Sequence, residues 1–129
     1  MILAIDPGRE KCGMAVLNAS GGCIVRSIIK RAELAANVIK LANEYKVKTV
    51  VIGDTGDSRS AGKELLRLEL KANIVFTKEK YSTQEARARY FKENRPRGVL
   101  RLVPTGLLFP PVPVDDYAAM ILGERYLKG

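Results

Sequence analysis

The chain has 129 residues, 47% of them hydrophobic and 28% charged, with a formal net charge of +8, and this balance predicts one compact domain over residues 1–129. Histidine is absent, which excludes a Ser-His triad, a histidine general base and an H-E-x-x-H zinc site. No apolar run approaches the ~20 residues that span a bilayer, and the N-terminus lacks a signal-peptide pattern, so we expect a cytoplasmic protein.

The first third of the chain predicts three antiparallel strands. An apolar strand at residues 2–5 ends on Asp6 and turns through Pro-Gly, and a second strand follows at about 13–17. A turn at 18–22 contains two glycines and leads into a third strand near 23–29. Short connections of this kind are typical of an antiparallel meander.

Two cysteines, Cys12 and Cys23, fall on neighbouring predicted strands, where they could approach each other. A reducing compartment favours buried thiols over a disulfide. Two cysteines without histidine are too few for a zinc site.

Helices and strands alternate in the next part of the chain. Helical spacing of apolar residues predicts a helix over 33–45, and the apolar run 47–52 predicts a buried strand that stops before Asp54. A second helix is expected at about 59–70 and a short strand at 73–76.

The last third predicts two helices around a long loop. A capping-box pattern at residues 82–85 opens a third helix that runs to about residue 93. Residues 94–114 show no period and hold five of the six prolines, and a final helix follows at about 115–127. A loop of this length is usually functional. Its apolar segment 107–111 fits a flap over a ligand, a cover packed on the sheet or a dimer contact.

Together these elements predict an α/β fold with a mixed five-stranded sheet, three antiparallel strands followed by two parallel ones, flanked by helices. Right-handed crossovers bring the carboxyl ends of the later strands beside the first, so Asp6, Asp54 and Glu79 are expected at one sheet edge. The final helix begins at Asp115-Asp116 and is expected to point at that edge. Such a cluster of carboxylates is costly unless cations neutralise it, which favours a metal site.

Three blocks of sequence, in the right order, resemble one family. The D-P-G-R sequence at 6–9, followed by Gly13, resembles the first motif of the ribonuclease H-like superfamily, specifically the YqgF/RuvX group related to the RuvC resolvases. Residues 79–83 resemble that group's second acidic motif. The block at 114–127, with Asp115 three residues before a pair of alanines, resembles its closing helix.

The resemblance implies a ribonuclease H-like fold and a metal-dependent endonuclease. The implied substrates are structured RNA, such as pre-ribosomal RNA, and branched DNA, such as Holliday junctions. Two Mg²⁺ or Mn²⁺ ions would be held by Asp6, Glu79 and Asp115 as the catalytic set. Asp54 competes with Glu79 as the second acidic ligand, because RuvC itself carries that acid at the end of the corresponding strand. Asp54 and Asp116 are also candidates for auxiliary ligands or for groups that orient lysine and water.

The basic residues suggest how a nucleic acid would be drawn to this site. Residues 77–103 carry eight bases against three acids, which suits a polyanion bound through its phosphates. A solvated helix face on a basic protein explains the same charges equally well. Cleavage of a junction would require two sites, which a homodimer would supply. The candidate nucleic-acid-binding residues are Arg9, Lys11, Lys78, Lys80, Arg87, Arg89, Arg95 and Arg97.

Other interpretations remain open. Asp6 could belong to an ordinary turn, and Asp115 or Asp116 could cap the last helix. Glu79 could be an exposed acidic residue of a loop within a basic stretch. Lys78 stands where the resembled group has an acid, which favours a catalytically silent nucleic-acid-binding module of the same fold. A phosphotransferase of the sugar-kinase and actin type would require a second such domain, which 129 residues do not supply.

Overall fold

A computed structural model describes residues 1–54, 56–77, 83–94 and 113–128. A single 3-10 turn, Arg31–Glu33, precedes the first α-helix. The strands are β1 (Ile2–Asp6), β2 (Lys11–Leu17), β3 (Cys23–Lys30), β4 (Thr49–Ile52) and β5 (Asn73–Phe76), and the helices are α1 (Leu34–Glu44), α2 (Ser58–Leu66), α3 (Thr83–Glu93) and α4 (Asp115–Lys128).

The five strands form one mixed sheet in the order β3-β2-β1-β4-β5. β1, β2 and β3 are antiparallel, whereas β4 and β5 run parallel to β1. Ile5 is in register with Ile52, and Ile52 with Phe76, so the carboxyl ends of the three parallel strands lie at the same edge. The predicted α/β class and strand pairing are confirmed.

The two faces of the sheet carry different helices. Along β1, Leu3 and Ile5 face one apolar cluster, while Ile2 and Ala4 face the other, as the period of two in a strand requires. The first cluster, which we call the α1–α2 face, includes Val38 of α1 and residues of α2. The second, the α3–α4 face, is covered by α3 and by the buried residues of α4.

Most elements agree with the sequence to within two residues, but α2 ends at Leu66, four residues before the predicted end. The backbone N–H of Leu68 donates to the carbonyl of Leu65, and that of Glu69 to the carbonyl of Leu66, which are the tighter bonds of a 3-10 turn. Glu69 then adopts a positive φ of 50°, which cannot continue a helix. The apolar spacing continued past Leu66 because Leu68 still packs against the core.

The cysteines are far from each other, and both are free thiols. Cys12 lies opposite Ile29, whereas Cys23 lies opposite Leu17, at the other end of the β2–β3 pair. Cys12 is buried as expected, and burial raises the pKa of its thiol. Cys23 is exposed, so the expectation of a buried thiol was wrong there, because it begins the outermost strand of the sheet.

Two sequence predictions lie outside the described residues: Ser82 of the capping box, and the proline-rich loop except for its ends. Among the described ranges, no helix has the length and apolar character needed to cross a membrane.

Candidate functional site

Asp6 is the last residue of β1 and lies at the carboxyl edge of the sheet. By the alternation along β1 it belongs to the α3–α4 face, two residues after Ala4. Only 8% of its surface is exposed, and it is the one charged residue that is buried in the described part of the chain. Asp6 already interacts with other described residues, as a buried carboxylate must when it carries no cation.

Gly13 brings the start of α4 to Asp6. It lies directly opposite Asp6 in the β1–β2 pair. A Cβ built on Gly13 would overlap the backbone carbonyl of Asp115, so only glycine lets the helix approach this closely. The structure therefore places the backbone of Asp115, more than a hundred residues away in sequence, against the strand residue that faces Asp6.

The Asp115 side chain is partly buried and incompletely satisfied. Its Oδ2 atom is buried and accepts no hydrogen bond from the described residues, although a third of the side chain is exposed. Lys11 Nζ lies 3.7 Å from this oxygen, close enough for an ion pair but too far for a hydrogen bond. A buried carboxylate oxygen without a donor is typical of a site that binds a cation.

Asp116 is held in a different network on the same face. Its Oδ2 accepts a hydrogen bond from Arg26 Nε at 3.0 Å, and its Oδ1 accepts one from the backbone N–H of Tyr117 at 3.0 Å. Arg26 also lies over the ring of Tyr117, 4.0 Å from its centroid. The Tyr117 hydroxyl donates to Glu93 at 2.7 Å, and burial together with this bond raises the pKa of Tyr117. These contacts fix Asp116 between β3, α3 and α4.

Asp54 lies near the same edge but is exposed. Val50 and Ile52 pack on the α1–α2 face, whereas a Cβ at Gly53 would contact Leu122 of α4. The hydrogen bond from Gly53 N–H to the Ile5 carbonyl, 2.9 Å, continues the strand pairing to this point. The same alternation, continued by one residue, assigns Asp54 to the α1–α2 face, opposite to Asp6.

The predicted nucleic-acid-binding residues are distributed unevenly. Arg9 and Lys11 are exposed beside the sheet edge, and Lys11 pairs with Asp115. Arg89 donates to both carboxylate oxygens of Glu124, at 2.9 and 2.7 Å, which ties α3 to α4. Arg87 is half-buried on α3 and already has a partner. The remaining candidates, together with the proposed ligand Glu79, lie outside the described residues; they are Lys78, Lys80, Arg95 and Arg97.

The donor set at the edge fits a hard divalent cation. Asp6 and Asp115 offer carboxylate oxygens, which Mg²⁺ and Mn²⁺ prefer, and one of those oxygens has no hydrogen-bond donor. Within the described ranges no three acidic or sulfur ligands come together. Two described carboxylates leave positions for a further protein ligand, water and phosphate, which is the usual arrangement for Mg²⁺.

Sequence reasoning missed Arg26, the residue that organises the Asp116 network. It contacts or approaches Asp116, Glu93 and Tyr117, and its side chain is 29% exposed. A signal was present, because a charged residue in the middle of an otherwise apolar strand is unusual unless it has a buried partner. Its partners could not be read from the sequence, since they come from two distant helices.

A structure of RuvC from Thermus thermophilus is similar to this chain over 99% of this chain and 96% of that one, with a TM-score of 0.54 and 13% sequence identity. No protein-family model and no curated protein sequence matches the chain. The similarity shows that the fold is the ribonuclease H-like α/β fold of RuvC.

Proposed function

We propose that this chain is a metal-dependent endonuclease of the YqgF/RuvX type, related to RuvC, that hydrolyses phosphodiester bonds in structured RNA or branched DNA. The observation that supports it most is the convergence at the sheet edge. Asp6 is buried at the end of β1, and the start of α4 is docked on the glycine opposite it, with an unsatisfied oxygen on Asp115. If Asp6 were only a turn residue and Asp115 only a helix cap, neither role would require the start of α4 to lie so close to Gly13.

The proposed ligands of Mg²⁺ or Mn²⁺ are Asp6, Asp115 and Glu79. When bound, two such ions supply an activated water and stabilise charge on the phosphate and the leaving oxygen, chemistry that needs no histidine. Asp6 is held in place by the β1–β2 pairing, so its carboxylate loses little freedom on binding. Lys11, half exposed beside Asp115, is positioned to contact a phosphate of the substrate. Asp54 and Asp116 are left out, because one is exposed on the other face and the other is bound to Arg26.

The proposal is tested by Asp6→Asn, which keeps the shape of the side chain and removes its charge. With labelled four-way DNA junctions and structured RNA as substrates in Mn²⁺, we expect Asp6→Asn to lose cleavage of whichever substrate the wild type cuts. Asp54→Asn, the same change at the exposed carboxylate after β4, should retain it. Thermal unfolding establishes that both variants are folded. Full turnover by folded Asp6→Asn would disprove the metal assignment.

The Lys11–Asp115 ion pair favours a second function, a catalytically silent nucleic-acid-binding module. At 3.7 Å, the Lys11 ammonium partly neutralises the carboxylate that a metal would otherwise occupy. Lys78, in place of the acid found in the resembled group, adds a second cation beside Glu79 in sequence. In this case the site would bind phosphate through lysine and would have no need for a divalent ion.

Isothermal titration with Mn²⁺ separates the two functions. An enzyme should bind Mn²⁺ in the wild type and lose that binding in Asp6→Asn. A silent module should show no Mn²⁺ binding that depends on Asp6, while binding nucleic acid equally well with and without the metal. Sedimentation of the wild type with and without a junction tests whether two copies act together, as a junction-cleaving enzyme would require.

A further inference from the structure

The α2 helix carries a row of three basic residues that the metal site does not use. Arg59 and Lys63 lie on α2, and Arg67, the residue after its last turn, still has helical backbone angles, so the spacing of four places all three on one side, roughly 6 Å apart along the axis. All three are exposed, and none forms an ion pair with a residue that the structure describes. They line a groove of about 600 Å³ together with Gly56, Ser60 and Glu64.

The acidic residues next to this row are partly neutralised from elsewhere. Glu64 and Asp57 both pair with Arg31, the residue that follows β3, and Ser60 also accepts a hydrogen bond from it. Arg31 is largely buried in this network, with 16% of its side chain exposed. Arg31 offsets one of these two negative charges, so Arg31, the two acids and the three exposed cations together carry a net charge of +2, which leaves positive potential along α2.

An exposed aromatic ring borders the same strip. Phe76, the last residue of β5, is 49% exposed although it is large and apolar. A Cβ on Gly62 would overlap the Phe76 ring, so the ring lies against the helix backbone at the one position without a side chain. At 100° per residue, Gly62 and the exposed Leu66 lie on one side of the basic row, and Ser60 and Glu64 lie on the other.

We propose that this surface binds a single-stranded stretch of nucleic acid, with successive phosphates on Arg59, Lys63 and Arg67 and a base stacked on Phe76. The inference rests on the proposed function for the class of ligand and extends it by naming a second contact region. A positively charged track beside an exposed aromatic ring is the arrangement by which proteins bind single strands without reading their sequence. Phe76 lies at the carboxyl edge of the sheet, because it is in register with Ile52 at the end of β4, and α2 follows β4 in the chain.

The test is fluorescence anisotropy of a labelled single-stranded oligonucleotide against the full chain, in EDTA and over a series of salt concentrations. The triple variant Arg59→Gln, Lys63→Gln, Arg67→Gln should weaken binding and lower the slope of log affinity against log salt by about 2, since each contact to a single strand contributes roughly 0.7. Phe76→Leu should weaken binding by at least about fivefold with little change in slope, because stacking is not ionic.

The matched control removes the same charge from a different part of the molecule. Lys40, Lys48 and Lys128 are exposed and form no ion pair with any residue in the described ranges, so changing all three to glutamine gives an equal net charge. We expect this control to bind nearly as the wild type does. Equal loss in both triple variants would overturn the proposal in favour of a general charge effect, and unchanged binding in the α2 triple variant would overturn it directly.

The outcome is independent of the metal site. Because EDTA removes divalent ions, the binding measured in this assay does not require a metal at the candidate site. Weaker oligonucleotide binding by the α2 triple variant, together with loss of cleavage by Asp6→Asn, would support both proposals. The same weaker binding, together with no cleavage by the wild type, would reject only the nuclease. Because its three substitutions are all exposed, the α2 triple variant should remain folded, and thermal unfolding checks this.

Discussion

The two faces of the sheet are built from different kinds of residue. The α1–α2 face is a continuous apolar core in which large side chains such as Leu3, Ile5 and Ile52 are fully buried. The apolar cluster of the α3–α4 face contains five alanines, against one among the buried residues of the other cluster, and its rim carries Asp6 and the Arg26 network. One face buries hydrophobic area, whereas the other lets a helix come close to the sheet and places charged groups.

The two faces therefore contribute differently to the stability of the fold and to the candidate metal site. Hydrophobic burial is non-directional, so the apolar core of the α1–α2 face holds the sheet together without fixing the atoms of the candidate metal site. Hydrogen bonds and close backbone approach are directional, so the α3–α4 face can hold Asp6 and Asp115 at a defined place. Substitutions on the two faces should therefore differ in kind as well as in size.

The largest loss of stability is expected on the α1–α2 face. Leu3→Ala removes a fully buried side chain, and the cavity should lower the free energy of unfolding by about 3 kcal/mol. Urea unfolding measures this loss. Ile24→Ala, at an exposed apolar position on β3, is the control and should change stability little. Binding of Mn²⁺ per folded molecule should be unaltered in Leu3→Ala, and a loss there would mean that the two faces are not separable.

Gly13→Ala should affect both stability and the site. The added methyl group overlaps the Asp115 carbonyl, so the start of α4 must move away, at a cost of about 1–3 kcal/mol. We expect Mn²⁺ binding by calorimetry to weaken more than stability alone would predict. Gly56→Ala adds the same methyl group into open space and serves as the comparison. Equal Mn²⁺ binding in both variants would show that the close approach is not needed.

Two arginines allow the ion-pair networks of the two faces to be compared directly. Arg26→Met leaves Asp116 and Glu93 without their cation, and Arg31→Met does the same to Asp57 and Glu64. Each should lower the free energy of unfolding by about 1–3 kcal/mol, the cost of leaving polar partners unsatisfied. Only Arg26→Met should also weaken Mn²⁺ binding, because its network holds the first turn of α4. Weakening of equal size in Arg31→Met would contradict that assignment.

The smallest expected effect is on the free energy of unfolding at alkaline pH, where Tyr117 ionises. Its folded-state pKa is raised above the ordinary value near 10, by burial and by the bond to Glu93, so the folded state binds this proton more tightly than the unfolded one. The stability that this preference contributes is complete below about pH 10 and is lost as the pH rises through the folded-state pKa. Urea unfolding between pH 8 and 11 should show a steeper decline for the wild type than for Tyr117→Phe. Parallel curves would exclude the tyrosine as the titrating group.

Much of the fold followed from local patterns. The apolar run in residues 2–5, the turn that contains two glycines before β3 and the helical spacing in α1 each reflect short-range geometry, and the structure confirms these elements. The early end of α2 was missed, because Leu68 packs against the core from a turn and so imitates a helical repeat. The roles of Asp6, Glu79 and Asp115 as metal ligands stay predictions.

The sequence by itself determined the succession of strands and helices, the carboxylate at the end of β1 and the acidic start of α4, because periodicity, turn residues and charge are properties of neighbouring positions. Only the tertiary structure decided that the Asp115 backbone docks on Gly13, that Asp116 binds Arg26, and that the Phe76 ring lies against Gly62 of α2. These outcomes depend on contacts between segments distant in the chain. The physical reason is that close packing of helix on sheet fixes such contacts, whereas no local preference distinguishes Asp115 from Asp116.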